Sequence, residues 1–237
     1  MKNHDVDAVV ATLKRMGSRR ARDGMARYGI PSDNAFGIAV GALQKLGKQL
    51  GRSHDLAEAL WKTGSYEARM LATFLDEPDR VTRAQMDRWC RDFDSWAIVD
   101  TACFHLFDRT PHALAMVKRW ATRRPEFEKR AAFALLACVA LHDKQADEEA
   151  LARCLPLIER AATDERNFVK KGVSWALRSV GRRSAALYGE SIALARRLAA
   201  SSDASARWIG RDALRDLERP AVAKRVATKR GAGPTRS

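Results

Sequence analysis

The chain lacks the short motifs that usually mark a chemical function. Its four cysteines, Cys90, Cys103, Cys138 and Cys154, stand 13, 35 and 16 residues apart. No CxxC or other zinc-type pair results, and they read as reduced core thiols. The five histidines, His4, His54, His105, His112 and His142, form neither an HExxH nor a Cys/His cluster. A GxxxxGK[ST] or GxGxxG loop is also missing, which disfavours zinc, nucleotide and dinucleotide chemistry. No metal and no cofactor are therefore expected. No apolar run approaches the ~20 residues of a membrane span. The opening Met1-Lys2-Asn3-His4-Asp5 lacks the apolar core of a signal peptide. A soluble, intracellular protein with no membrane partner is expected. Glycine and proline are few, 14 and 7, against 46% hydrophobic residues, so the chain is neither collagen-like nor globally disordered. Acid is scarce too. Against 43 Lys and Arg there are 29 Asp and Glu, a formal net charge of +14 that points to a polyanionic partner.

What is present is helical. Ala, Leu, Arg and Glu recur with helical spacing from Asp5 to Leu217, while alternating β-branched runs never persist, so the fold is expected to be all-α. Gly29-Ile30-Pro31, Asp76-Glu77-Pro78, Arg109-Thr110-Pro111 and Arg123-Arg124-Pro125 cut the chain. Helices of roughly 10–18 residues follow, suited to helical hairpins. Beyond Leu217 the composition changes: residues 219–237 hold Arg219, Lys224, Arg225, Lys229, Arg230 and Arg236 with no acid. That predicts a basic, disordered tail, either a solubilising extension or a weak nonspecific nucleic-acid contact, and leaves +8 on a domain spanning residues 1–218.

Five segments that begin after polar turns repeat: Tyr66-Glu67-Ala68-Arg69, Ala97-Ile98-Val99-Asp100, Phe127-Glu128-Lys129-Arg130, Phe168-Val169-Lys170-Lys171 and Trp208-Ile209-Gly210-Arg211. Their last residues lie 31, 30, 41 and 40 positions apart, and Asp164 to Leu177 and Asp203 to Leu214 resemble the second helix of a HEAT repeat. An α-solenoid of HEAT-like repeats is expected, with equivalent helices about 8–10 Å apart and a concave basic face. Equivalent positions form columns, and this one reads Arg69, Asp100, Arg130, Lys171, Arg211, one acid among cations. Asp100 admits two readings at this point. It is an ion pair with Arg69 or Arg130 that clips repeats together, or a functional carboxylate. A carboxylate inside a phosphate-binding groove weakens binding, so binding alone gives no reason for it.

The tryptophans sort by the same register. Trp61, Trp89 and Trp120 fall in first helices, 28 and 31 residues apart, and are expected in the core. Trp96 is different, because its equivalents Ser65, Glu126, Asn167 and Arg207 are polar. An aromatic on a solvated face needs a reason. Trp96 and Asp100 are also four apart and share one side of a helix. Trp175 stands four after Lys171, and position alone leaves core packing and cleft lining equally open for it.

Three stretches together carry a resemblance: Asp92-Phe93-Asp94-Ser95-Trp96-Ala97-Ile98-Val99-Asp100, Glu128-Lys129-Arg130-Ala131-Ala132-Phe133-Ala134-Leu135, and Asp164 to Arg178 with Asn167-Phe168-Val169-Lys170-Lys171-Gly172-Val173-Ser174-Trp175 inside it. They look like the signature segments of the AlkD-type DNA alkylation repair glycosylases. The likeness runs from Arg27-Tyr28-Gly29-Ile30-Pro31 through His54-Asp55-Leu56 and Glu67-Ala68-Arg69 to about Leu198. It implies a HEAT-like solenoid that wraps duplex DNA and removes positively charged N3- or N7-alkylated purines without flipping the base. It also implies roles: Asp100 as the catalytic carboxylate, Trp96 and Trp175 as cleft-lining indoles, Arg130 as a supporting cation. The stretch Ala97-Ile98-Val99-Asp100-Thr101-Ala102-Cys103 is less polar than in some relatives, which bears on lesion preference. Arg69, Lys144, Lys170, Lys171, Arg178 and Arg211 are the cations expected near phosphates. The expected partner is double-stranded DNA containing alkylated purines, met by a monomer in the cytoplasm at a bacterial nucleoid. Two alternatives from other classes remain: a noncatalytic HEAT-type module for bent or branched DNA, and a scaffold whose basic groove takes an acidic protein.

Overall fold

The computed structural model describes residues 5–228, which form helices and connecting loops with no strand among them. The chain divides into two compact units, Met1–His112 and Ala113–Ser237. In the first, α1 (Val6–Met16), α2 (Arg19–Gly24), α3 (Val40–Leu50), α4 (His54–Lys62), α5 (Tyr66–Leu75), α6 (Arg83–Arg91) and α7 (Trp96–His105) are punctuated by 3-10 turns at Met25–Tyr28, Pro78–Arg80 and Phe107–Arg109. In the second follow α8 (Ala113–Trp120), α9 (Glu126–His142), α10 (Glu148–Ala152), α11 (Leu155–Ala161), α12 (Asn167–Gly181), α13 (Ala185–Ala199), α14 (Ala204–Leu217) and α15 (Pro220–Thr228).

Helix starts are written in the sequence as side-chain caps. Asp5, Ser18, Ser53 and Thr82 in the first unit and Asp147, Ser184 and Asp203 in the second each accept a backbone N–H two or three residues on. Such a cap contributes roughly 0.5–2 kcal/mol relative to alanine. Helices then pair as hairpins, α4 on α5 in the first unit and α8 on α9, α11 on α12 and α13 on α14 in the second. The second helices also lie side by side, α5 against α7 and, separately, α9 against α12 against α14.

The core of the first unit is aromatic, as the tryptophan spacing predicts. Trp61 stacks on Trp89 with centroids 3.9 Å apart and planes 4° from parallel, an arrangement that contributes about 0.5–1.5 kcal/mol beyond the buried area. In the second unit Trp120 is fully buried, and α9 is apolar on every side from Ala131 to Ala140, so it is enclosed by its neighbours. A Cβ on Gly210 would stand 2.2 Å from the Ala199 nitrogen, so glycine is what lets α14 close on α13. The cysteines are buried thiols, and burial pushes the Cys154 thiol above its ordinary range. No helix among the described residues is long and apolar enough to cross a membrane.

Two features depart from the sequence expectations. Pro220–Thr228 is helical where a disordered tail was expected from 219: Val226 is buried where α15 packs on α13 and α14. Proline at the first helical position also suits a start there. The remaining tail, 229–237, lies outside the described residues. The second departure is one of register. The residues preceding α5, α7, α9 and α12 are Ser65, Ser95, Pro125 and Arg166, which put Arg69, Asp100, Arg130 and Lys171 four or five residues into their helices. Asp203 caps α14, so the matching position there is Arg207 or Trp208, and Arg211 lies a turn further along. Three residues of slippage exceed the usual uncertainty of a helix boundary.

Candidate nucleic-acid interface

The first unit holds Trp96 and Asp100 on α7, one turn apart and both half-buried. Their helix is aimed by the turn before it. Asp92 in that turn accepts the Trp61 indole N–H at 2.8 Å through its carboxylate. Arg69 of α5 donates to the Asp92 backbone carbonyl at 3.0 Å, with its guanidinium carbon 5.4 Å over the Trp61 ring. Only 16% of the Arg69 side chain is exposed. A cation so engaged fixes the entry to α7, which is not the phosphate contact the column predicts for it.

The Trp96 indole N–H is committed as well, donating to the Tyr28 backbone carbonyl at 2.7 Å. Its ring face is thereby what remains for a ligand. Tyr28 closes the 3-10 turn that follows α2, where it is 69% exposed beside Arg27, with Arg19 and Arg20 at the start of α2. That segment is anchored from below. The buried Glu67 carboxylate accepts the backbone N–H groups of Phe36, Gly37 and Ile38 at 2.8, 2.7 and 3.2 Å. The Phe36 carbonyl in turn accepts the Ser18 N–H at the start of α2. Gly37, at φ +80°, packs so closely that a Cβ would stand 2.3 Å from the Ser18 carbonyl oxygen. The resemblance includes Glu67, but nothing in its spacing signals that it holds the arginine-rich segment against Trp96.

Across the same hairpin, burial and then the Glu67 and Asp94 charges push the Tyr66 hydroxyl up to about 12. Asp76, at the C-terminal end of α5, is raised by burial even though His54, Gln85 and the Glu77 N–H all hydrogen-bond to it. His54-Asp55-Leu56 therefore contributes structure: the His54 ring ties the start of α4 to the end of α5 at 2.7 Å.

The second unit gathers cations on α12. Lys171, Trp175 and Arg178 stand at i, i+4 and i+7 on one face, with Lys171 exposed and Trp175 half-buried. Trp175 is thus neither core nor fully displayed. Arg178 is partly neutralised, its Nε donating to the Ser174 carbonyl at 3.3 Å and lying 3.7 Å from the Asp212 carboxylate of α14. Lys170 sits over the Trp208 ring with its Nζ 5.0 Å from the centroid, and Trp208 is 37% exposed. Position alone assigned Trp208 no role; the Asp203 cap is the signal that brings it into the column. Arg211 is exposed on α14, and Lys144, after α9, donates to the Leu141 carbonyl at 2.6 Å.

Arg130 is buried, 6% exposed, and donates to the Phe168 carbonyl at 2.7 Å, at the first turn of α12. Acid clusters around that same turn. Asp164 accepts Lys129 at 2.9 Å and Arg166 at 2.6 Å, and the Arg166 hydrogen bonds, with Lys129 behind them, hold its carboxyl well below the usual carboxylate range. The Glu126 carboxylate accepts the Phe168 N–H at 3.2 Å. The start of α12 is therefore fixed from both of its backbone groups at Phe168.

A model of the DNA alkylation repair enzyme family matches residues 9–217. One solved structure, described as a new family of proteins related to the HEAT-like repeat DNA glycosylases with affinity for branched DNA structures, is 18% identical, with a TM-score of 0.74. The match covers 90% of this chain and 95% of that one, and it shows a HEAT-like repeat fold. A designed armadillo repeat protein is 13% identical over 75% of this chain and 92% of its own, with a TM-score of 0.38. No curated protein matches the chain. With its family model spanning nearly the whole described length, the chain belongs to the DNA alkylation repair enzyme family.

Proposed function

We propose that this protein hydrolyses the N-glycosidic bond of cationic N3- or N7-alkylated purines in duplex DNA, using Asp100 as its one catalytic carboxylate. The observation that carries this reading is the pairing on α7 of Asp100 with an indole one turn away whose N–H is already spent on Tyr28. Glycoside cleavage usually takes two carboxyl groups, one to protonate the leaving group and one to stabilise the oxocarbenium-like sugar or activate water. An N3- or N7-alkylated purine already carries its positive charge and departs as a neutral base. The acid is then unnecessary, and one carboxylate suffices. Asp100 stabilises charge developing on the deoxyribose and orients the attacking water.

In this reading Trp96 and Trp175 offer ring faces to the sugar and phosphodiester, where attraction to an electron-poor sugar contributes about 0.5–2 kcal/mol when desolvated. The base stays stacked, so bulky adducts are tolerated. Lys144, Lys170, Lys171 and Arg211 meet phosphates, Arg178 more weakly because Asp212 shares its charge. Arg69 and Arg130 act as positioning residues behind the surface. The protein works as a monomer, at the nucleoid if its source is bacterial.

The test is release of 7-methylguanine or 3-methyladenine from methylated duplex DNA by the full chain, with Asp100→Asn as control. Excision above the spontaneous rate that the substitution abolishes supports the reading; no excision by the unaltered protein overturns it. The solved relative's affinity for branched DNA supplies a second reading, a shape-recognising module without catalysis. Under it, preference for a four-way junction over duplex survives Asp100→Asn and no base is released.

A further inference from the structure

Within the first unit a cavity of about 500 Å³ opens between the C-terminal ends of α3, α5 and α7. Its volume falls in the ~300–1,000 Å³ range of small-molecule clefts. Five residues placed five or more positions from Asp100 give it its character: Lys48, Arg52 and Arg109, with Phe74 and His105. No carboxylate lines it. His105 follows Asp100 by five residues, about 140° further round α7, so the cavity lies on a different side of that helix.

The sequence builds the cavity deliberately. Gly47 brings α3 onto α5, since a Cβ there would stand 3.1 Å from Phe74 Cβ. Gly51, at φ +82°, turns the chain so that the Ser53 N–H reaches the Leu75 carbonyl at 2.8 Å. That turn brings Arg52 back to donate to the Asp76 carbonyl, which leaves most of its five N–H donors for something else. Arg109 extends from the 3-10 turn Phe107–Arg109, 48% exposed, with the buried Asp108 carboxylate 4.0 Å behind it. Lys48 is exposed and makes no polar contact among the described residues. The Phe74 and His105 rings meet edge to face at 4.9 Å and 77°, forming an aromatic wall between the cations.

We propose that this cavity binds a nucleoside phosphate unit, the phosphate between Lys48, Arg52 and Arg109 and the base against Phe74 and His105. Cations beside an aromatic platform are the chemistry by which single nucleotides are held without a phosphate-binding loop, and no such loop exists in this chain. The unit is supplied either as a free mononucleotide or as the phosphorylated end of a DNA strand. Neither source involves Asp100, so the proposal stands or falls apart from the glycosylase reading.

The experiment is amide NMR of the full chain, following Gly47 and Gly51 during titration with dAMP, deoxyadenosine, inorganic phosphate, and a trideoxynucleotide with and without a 5′-phosphate. Saturable shifts at both glycines with dAMP identify the free nucleotide as the source, and shifts with the 5′-phosphorylated oligomer alone identify the strand end. In either case Lys48→Ala and Arg109→Ala each weaken binding about tenfold or more, as loss of a charged contact does. Lys48 is exposed, so its variant keeps the rest of the amide spectrum unchanged. The proposal is overturned if neither phosphate ligand shifts the two glycines, if deoxyadenosine or inorganic phosphate binds as tightly as dAMP, or if both substitutions leave affinity unchanged.

Discussion

The helix that carries Asp100 and the helix that carries Trp175 are set in place by the same device, one in each unit. Arg69 on α5 donates to the Asp92 carbonyl just before α7, and Arg130 on α9 donates to the Phe168 carbonyl at the start of α12. Each arginine reaches forward to the next second helix and fixes where it begins. Around that shared device the units differ. The first adds a stacked tryptophan pair and offers a carboxylate and an indole face, whereas the second adds an acid cluster beneath and offers lysines above. The column of charges thus holds inward arginines that position helices, an exposed lysine on α12, and a half-buried aspartate on α7. Under the proposed function, that division separates residues whose loss is expected to change chemistry from those whose loss is expected to change stability.

The largest effect falls on Asp100. Asp100→Asn is expected to lower excision of 7-methylguanine by roughly 10²–10⁴-fold, the usual worth of a positioned acid–base group. Duplex affinity stays within error of the unaltered protein. A matching loss of DNA binding would place Asp100 among the positioning residues and erase the division.

The inward arginines should show the opposite pattern. Arg130→Ala removes a buried side chain and its charge-assisted hydrogen bond to the Phe168 carbonyl, and is expected to lower unfolding stability by about 1–3 kcal/mol in urea titrations. Arg69→Ala is expected to cost less, because Arg69 is the more exposed of the two. Equal costs would mean that exposure does not separate the two devices.

Among the outward cations of the second unit, Lys171→Ala should reduce the slope of log affinity against log salt by about 1 while weakening all duplex sequences alike. Arg178→Ala should change the slope less, since Asp212 already shares its charge. A larger effect at Arg178 would mean that the Asp212 contact opens when DNA binds.

Much of the architecture was legible beforehand because helical periodicity and polar turns are local signals. The all-helical fold, the hairpins and the burial of Trp61, Trp89 and Trp120 follow from spacing alone. What spacing cannot reveal is where a long side chain goes. Arg69, Arg130 and Lys171 share a register, yet two turn inward and one outward, because an inward path needs a backbone carbonyl on another helix to receive the guanidinium. The Trp96 contact with Tyr28 joins residues 68 positions apart, beyond the reach of any periodic pattern. Arg211 falls outside the register because an arginine a turn away from the matching position fits the charge pattern, whereas the start of α14 is set by the Asp203 cap. The helix at Pro220–Thr228 is hidden for a related reason: a run of basic residues masks Val226, the one buried residue by which α15 packs on α13 and α14.

The smallest effect is also a reporter on the first unit's device. Tyr66 opens α5, three residues before Arg69, and burial with the Glu67 and Asp94 charges raises its hydroxyl to about 12. A tyrosinate absorbance step near 12 is therefore expected in the folded protein, absent in Tyr66→Phe. The folded state holds a proton that the unfolded chain releases near 10, so this group's stabilising contribution is complete below pH 10 and declines as pH rises from 10 to 12. Asp94 belongs to the same turn that Arg69 fixes, so Arg69→Ala loosens one source of the shift and should move the Tyr66 step back toward its ordinary value. If the step stays near 12 in that variant, burial and the Glu67 charge sustain it, and Arg69 aims α7 without setting the packing around Tyr66.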